Sequence, residues 1–238
     1  IDTVKPVLAQ VTAVTTPTND NTPSYVFSSN EAGTNSYGGS CGSTTTSATS
    51  ASDNNTVILT QTGNSTALSD ASYSNCTITV TDSAGNASTA LSVNTFEVDA
   101  TAPTFSSSSP SDNATGIAKN TSIAITLSEP INTSSVSVNT GSDNCDSFSL
   151  QVSGDDFENC VKMAGSPSIS NSNATFSITP SDNLSPAVNY KFKLNDNISD
   201  VVGNTINTYT SEGFITEDIS SWRFLDGNAN MFQGMSSN

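Results

Sequence analysis

Histidine is absent from the 238 residues, and that absence removes whole chemistries. A Ser-His-Asp triad, a Cys-His pair and a His-ligated zinc site all need an imidazole. Cations are nearly as scarce: six Lys and Arg stand against 22 Asp and Glu, for a net charge of -16. A surface of that sign repels phosphate backbones and argues against nucleic acid as a partner. Apolar runs are only a few residues long, so no transmembrane segment is expected. No Cys-x-x-Cys spacing occurs, which argues against structural zinc and dithiol redox work.

What fills the chain is hydroxyl and amide: 43 Ser, 33 Thr and 27 Asn. Such a composition can signal disorder, but the pattern argues for strands. Thr77-Ile78-Thr79-Val80, Ser122 to Leu127 and Tyr190-Lys191-Phe192-Lys193-Leu194 alternate polar and apolar with period two. Each predicts a half-buried antiparallel strand, with Ile, Val and Leu inward. Lys191 and Lys193 then share the solvent face. No stretch before residue 217 has a helical period. Many short strands between Asn, Gly, Asp and Pro predict an all-β sandwich architecture.

Cys41 and Cys76 lie in the first half, Cys145 and Cys160 in the second. Four cysteines allow three pairings, and one bridge per half is expected if each half is a domain. Persisting disulfides imply an oxidising compartment, extracellular or periplasmic. The sequence starts at Ile1 without Met or a signal peptide, which reads as a mature or excised segment.

An internal repeat organises the rest. Ile1-Asp2-Thr3-Val4-Lys5-Pro6 returns as Val98-Asp99-Ala100-Thr101-Ala102-Pro103. Glu31 follows Asp2 by 29 positions, and Glu129 follows Asp99 by 30, each just after an apolar strand. Strands starting at Tyr73 and Tyr190 lead into Asp82-Ser83-Ala84-Gly85-Asn86 and Asp200-Val201-Val202-Gly203-Asn204. Both turns spell Asp-x-x-Gly-Asn, with Gly and Asn fit for positive φ. The second half is longer between Glu129 and Asp200, and Cys145 to Cys160 sit in the surplus.

The first half resembles the Ig-like repeats of large bacterial adhesins. The residues that carry it are Asp2 to Pro6, Asn21-Thr22-Pro23, Tyr73-Ser74-Asn75-Cys76 and Thr79 to Asn86. The second half is similar to the Ig-like domain of S-layer proteins. Its carriers are Ser109-Pro110, Gly116-Ile117-Ala118, Ile123 to Pro130 and the Asp200/Gly203/Asn204 turn. It departs at Leu127 and Ile131, where an aromatic and Met are usual, and by the cysteine insert. The resemblance implies two tandem Ig-like β-sandwiches, residues 1–100 and 101–217, then a connector tail over 218–238. It implies a secreted, non-catalytic role: a spacer or adhesive segment of a bacterial cell-surface filament, sheath or stalk.

In an Ig-type sandwich the first strand starts, the second ends and the last hairpin turns at one pole. Asp2, Glu31, Asp82 and Asn86 should therefore converge at the N-terminal pole. Asp99, Glu129, Asp200 and Asn204 should do so at the junction of the halves, with Asp20 and Asp70 facing them. Crowded carboxylates repel unless a cation neutralises them. Oxygen-only ligands in an irregular cluster suit Ca²⁺, so Ca²⁺ is the cofactor expected. The competing reading is that these groups simply cap turn amides. Asp155, Asp156 and Glu158 lack a rigid frame and a sugar platform, so a glycosidase pair is not expected. Asn-x-Ser/Thr sequons at Asn54, Asn64, Asn113 and Asn173 permit surface glycosylation.

The tail is set apart by Trp222, Phe224, Leu225, Met231 and Phe232. It reads as a self-association segment docking on a neighbouring copy or Ig-like repeat. Surface glycans are further candidate partners. A carbohydrate-binding accessory module of a secreted enzyme is the alternative function, weakened by the single Trp.

Overall fold

The computed structural model describes residues 2–48, 54–63, 66–145 and 147–218. Trp222, Phe224, Leu225, Met231 and Phe232 lie outside the described residues, as does the connector tail from residue 219. Among the described residues the regular structure is β-strand, with one 3₁₀ turn at Thr133–Ser135. The chain divides into two compact units. The first takes residues up to Thr104 together with Glu129–Asn132 and Asn197–Ile206, and the second takes the remaining described residues.

In the first unit, Leu8–Thr12, Ser24–Ser29 and Asn54–Ile58 form an antiparallel sheet. A second sheet runs Leu91–Ser92, Thr77–Thr81, Gly33–Gly38 and Ser47–Ala48. Alternation decides which side chains fill the space between them. Tyr25 and Phe27 point inward from Ser24–Ser29, and Ile78 and Val80 from Thr77–Thr81, all buried. Val57, Leu59, Tyr73 and Phe96 belong to the same core. Tyr73 stacks on Phe96 with ring centroids 5.2 Å apart. Its hydroxyl donates to the carbonyl of Ser69 at 2.9 Å, the tyrosine corner that pins the turn before a strand.

The second unit repeats the plan. One sheet runs Phe105–Ser109, Ile123–Leu127, Thr175–Ile178 and Ser168–Ser170. The other is built on Asn189–Leu194, paired with Leu150–Ser153 and with Tyr209–Thr210 and Phe214–Ile215. Ile123, Ile125, Leu127, Phe176, Phe192 and Leu194 are buried between them. Tyr190 plays the part of Tyr73: its hydroxyl accepts the Ser185 amide at 2.9 Å.

Each first strand is an edge strand with a register shift, at Gln10/Thr12 and at Phe105/Ser107. A bulge there twists the edge away and discourages uncontrolled pairing. Cys41 bonds to Cys76 across 35 positions and Cys145 to Cys160 across 15. On the chain-entropy model such loops are worth about 4 and about 3 kcal/mol. Lys191 and Lys193 do share a face: Lys191 pairs with Asp156 at 2.7 Å, and Lys193 lies over the Phe157 ring.

Candidate functional site

The two Asp-x-x-Gly-Asn turns fold alike, and their side chains show why. Asp82 Oδ1 accepts the amides of Ala84 and Asn86, each at 2.8 Å. Asp82 Oδ2 accepts the Asn86 side-chain amide at 2.8 Å. Gly85 holds φ 93°, a conformation that costs a residue with a Cβ. In the second turn Asp200 Oδ1 accepts Val202, Gly203 and Asn204 amides at 2.7–2.9 Å. Asp200 Oδ2 accepts Asn204 Nδ2 at 2.7 Å, and Gly203 holds φ 100°. A carboxylate satisfied by several N–H donors is held ionised, and Asp82 is accordingly held below the usual carboxylate range, chiefly by the Asn86 side chain.

Each Asn then reaches outward with the same amide group. Asn86 Nδ2 donates to the carbonyl of Asp2 at 3.3 Å, and Asn204 Nδ2 to that of Asp99 at 2.8 Å. The turn thus grips the backbone of the Asp that leads into each first strand. Gripping it brings three carboxylates together. Ligand oxygens of Asp2, Glu31 and Asp82 lie within 4.8 Å of one another, as do those of Asp99, Glu129 and Asp200. Both triads fall within the first compact unit.

Asp70 is near but differently occupied. It accepts the Ala100 amide at 2.7 Å and a short hydrogen bond from the Thr101 hydroxyl. These bonds hold its carboxyl below the usual range. Its charge adds to the load on the second triad. Glu129 is pushed up by burial first, then by Asp99, Asp200 and Asp70. Asp99 is pushed up by burial too, with Asp200, Asp70 and Glu97 repelling its charged form. Asp20 is not in either triad: its carboxylate accepts the Thr22 amide at 2.9 Å and the Thr22 hydroxyl at 3.1 Å, closing its own turn.

A third turn of the same design carries no glycine. Asp155 Oδ1 accepts the Asn159 amide at 2.9 Å and Oδ2 its side-chain amide at 2.8 Å. Asp156 and Phe157 adopt positive φ in place of Gly. The i, i+4 Asp and Asn were the available signal. Asp155 and Asp156 are thus engaged, one in a turn and one with Lys191.

Oxygen donors alone line both triads, which suits a hard divalent ion such as Ca²⁺. Asp200 Oδ2 accepts one amide and keeps lone-pair capacity.

A family model described as a bacterial Ig-like domain matches residues 99–224. Among solved structures the chain is similar to the S-layer protein rSbsC(31-844), at 19% identity and TM-score 0.35, over 50% of this chain and 14% of that one. The N-terminal part of the bacterial S-layer protein SbsC gives 19% identity and TM-score 0.36, over 50% of this chain and 24% of that one. The Bacteroides ovatus mixed-linkage glucan utilization locus SGBP-B, in complex with a mixed-linkage heptasaccharide, gives 14% identity and TM-score 0.23, over 82% and 42%. The chain spans less than half the length of each of these structures. No curated protein matches it.

Proposed function

We propose, from the premise that the chain belongs to the bacterial Ig-like domain family, that it is a structural segment of an extracellular surface protein and carries load without turning over substrate. The observation that carries this reading is the duplicated pole. The same Asp-x-x-Gly-Asn turn grips the same backbone carbonyl and assembles the same carboxylate triad twice. A module repeated with its pole motif intact is what a structural array needs, since each copy presents the same end to its neighbour. A disulfide in each half fits an oxidising exterior. No helix among the described residues is long and apolar enough to cross a membrane. The partners in this reading are copies of the chain or neighbouring Ig-like repeats, in a filament, sheath or adhesin stalk.

Ca²⁺ at the two triads belongs to the same reading. Neutralising Asp99, Glu129 and Asp200 would relieve the repulsion that adds to burial in pushing Asp99 and Glu129 up. Extracellular sites of this kind bind at about 10⁻⁴ to 10⁻³ M. At about 10 mM Ca²⁺ each site then adds roughly 1.4 to 2.7 kcal/mol, or about 3 to 10 °C of melting temperature. Calorimetry in Ca²⁺ against EDTA tests this, and equal melting temperatures would remove the ion from the account. Single-molecule stretching tests the mechanical role: two resolved unfolding events that lengthen under reducing conditions are expected. A chain that extends without resistance would overturn it.

A further inference from the structure

The interior names no ligand: the cavity of about 280 Å³ beside Cys41–Cys76 has no charged lining, and the Asn35 oxygen next to it is closed to water and without a hydrogen-bond partner. The surface says more. Seven large apolar side chains are exposed among the described residues, and Val4, Val7, Val11 and Ile58 gather at the first sheet. Val7 leads into Leu8–Thr12, the edge strand of that sheet. Its amide donates to Asn30 Oδ1 at 2.6 Å and its carbonyl accepts the Asn30 amide at 3.3 Å, so its place is fixed although its side chain is 66% exposed. Val11 falls at the register shift and is 45% exposed. A bulge re-aims the residue it inserts, and here it leaves a β-branched apolar group in water. Ile58 faces solvent from Asn54–Ile58, with Val26 half-buried on the strand between. The edge strand of the second unit has the same place but another surface: Phe105–Ser109 exposes Ser106, Ser107 and Ser109. Exposed valine is therefore no demand of the fold.

Charge limits what can cover that edge. Residues 7–12, 24–29 and 54–58 include no Asp, Glu, Lys or Arg. On a chain of net charge -16, this is a surface that another copy can approach without meeting its own charge. A matching segment stands in the sequence. Residues 219–238, which lie outside the described residues, carry one Arg and one Asp and so add nothing to the net charge. They hold the only Trp, with Phe224, Leu225, Met231 and Phe232 beside it. Trp222 and Phe224 flank Arg223, the spacing that puts both rings on one side of an extended segment. Such side chains lose free energy wherever they face water. An edge strand offers an added strand its backbone donors and acceptors, and exposed valines offer it apolar contact. Edge and tail are unlike surfaces, so a contact between them is heterologous and passes from copy to copy.

We propose that residues 219–225 of one copy dock on the edge strand Leu8–Thr12 of another, Trp222 and Phe224 covering Val7 and Val11. This rests on the reading of the chain as a structural segment and names the surfaces its copies share. The test is sedimentation equilibrium of the full chain in EDTA. A peptide-sized contact is at the small end of interfaces, so the mass should rise past that of a dimer with a dissociation constant of roughly 1 to 100 µM. Trp222→Ser with Phe224→Ser, and separately Val7→Glu with Val11→Glu, should each weaken association at least about tenfold. Ser106→Glu with Ser107→Glu adds the same charge at the other edge and should change nothing. An equal mixture of the tail variant and the valine variant has one intact edge and one intact tail, so it should form dimers and stop there. Exposed positions should hold the melting temperature within about 3 °C. Were the valine pair to unfold, a peptide of residues 219–232 competing with the parent chain decides instead. Monomers at every concentration, or a peptide that does not compete, would overturn the proposal. So would association that survives the tail substitutions, which would assign the edge to direct pairing of two first strands. A monomer that still resists stretching would sink the docking and leave the structural reading intact.

Discussion

The two carboxylate triads share their turn and their Asn grip, yet they are not in the same electrostatic state. In the first, Asp2 is exposed and Asp82, the counterpart of Asp200, is half-buried. In the second, Asp200 is 1% exposed, and Asp70 stands close enough to add repulsion to Asp99 and Glu129. A shared Asp-x-x-Gly-Asn spelling therefore builds a like local geometry, while the charge each triad must bear depends on how much water and how many other carboxylates surround it. The second triad has more to gain from a cation.

The sharpest way to break this comparison is to delete the Asp that organises each turn. Asp200→Ala leaves the Val202, Gly203 and Asn204 amides without their acceptor, a loss of roughly 3 kcal/mol and about 6 to 12 °C by calorimetry. Asp82→Ala should cost clearly less, because water replaces its carboxylate. Equal losses would refute the difference in enclosure. Next in size is the response to Ca²⁺. Asp99→Asn with Glu129→Gln should remove more of the Ca²⁺-dependent gain in melting temperature than Asp2→Asn with Glu31→Gln, and the reverse order would reassign the ion to the exposed triad.

The glycines probe the likeness instead of the contrast. Gly85→Ala and Gly203→Ala each force a Cβ into positive φ and should cost about 1 to 2 kcal/mol. A Cβ at Gly85 meets nothing within 4 Å, and one at Gly203 meets Asn19 at an ordinary 3.7 Å, so the two penalties should agree in chemical denaturation.

The smallest effect is the pH dependence in EDTA, and its sign separates the groups. Asp99 and Glu129 have raised folded values, so the stability tied to them is complete below the unfolded carboxylate range. It declines as pH rises from about 4 through the folded values. Asp70, Asp82 and Asp155 have lowered values, so their contribution is present above about pH 4 and fades as pH falls through the folded values. The Asp99→Asn, Glu129→Gln pair should therefore flatten the decline of melting temperature between about pH 4 and 7 in EDTA. An unchanged slope would mean that the triad is relieved some other way.

Much of this was legible in the residues. Period-two alternation put Ile78, Val80, Ile123, Ile125, Phe192 and Leu194 inside, because a strand has only two faces. The Asp-x-x-Gly-Asn spelling predicted its turns, since carboxylate, glycine and amide each have a fixed task there. The Asp155 to Asn159 turn escaped notice because Asp156 and Phe157 take the positive φ that glycine advertises. Asp20 was legible as a carboxylate but not as one spent on Thr22, two residues away. The orphaned Asn35 oxygen had no signal at all, because nothing in an Asn reveals whether its acceptor finds a donor.

From residues alone came the strands, the turns, the doubling of the motif and the hard-oxygen character of the carboxylates, all of which depend on interactions between near neighbours. Tertiary structure decided which carboxylates touch, how deeply Asp200 is enclosed and where a neutral cavity opens. Those are matters of distance and of water excluded by distant parts of the chain, and burial sets both the cost of a charge and the need of an unpaired oxygen.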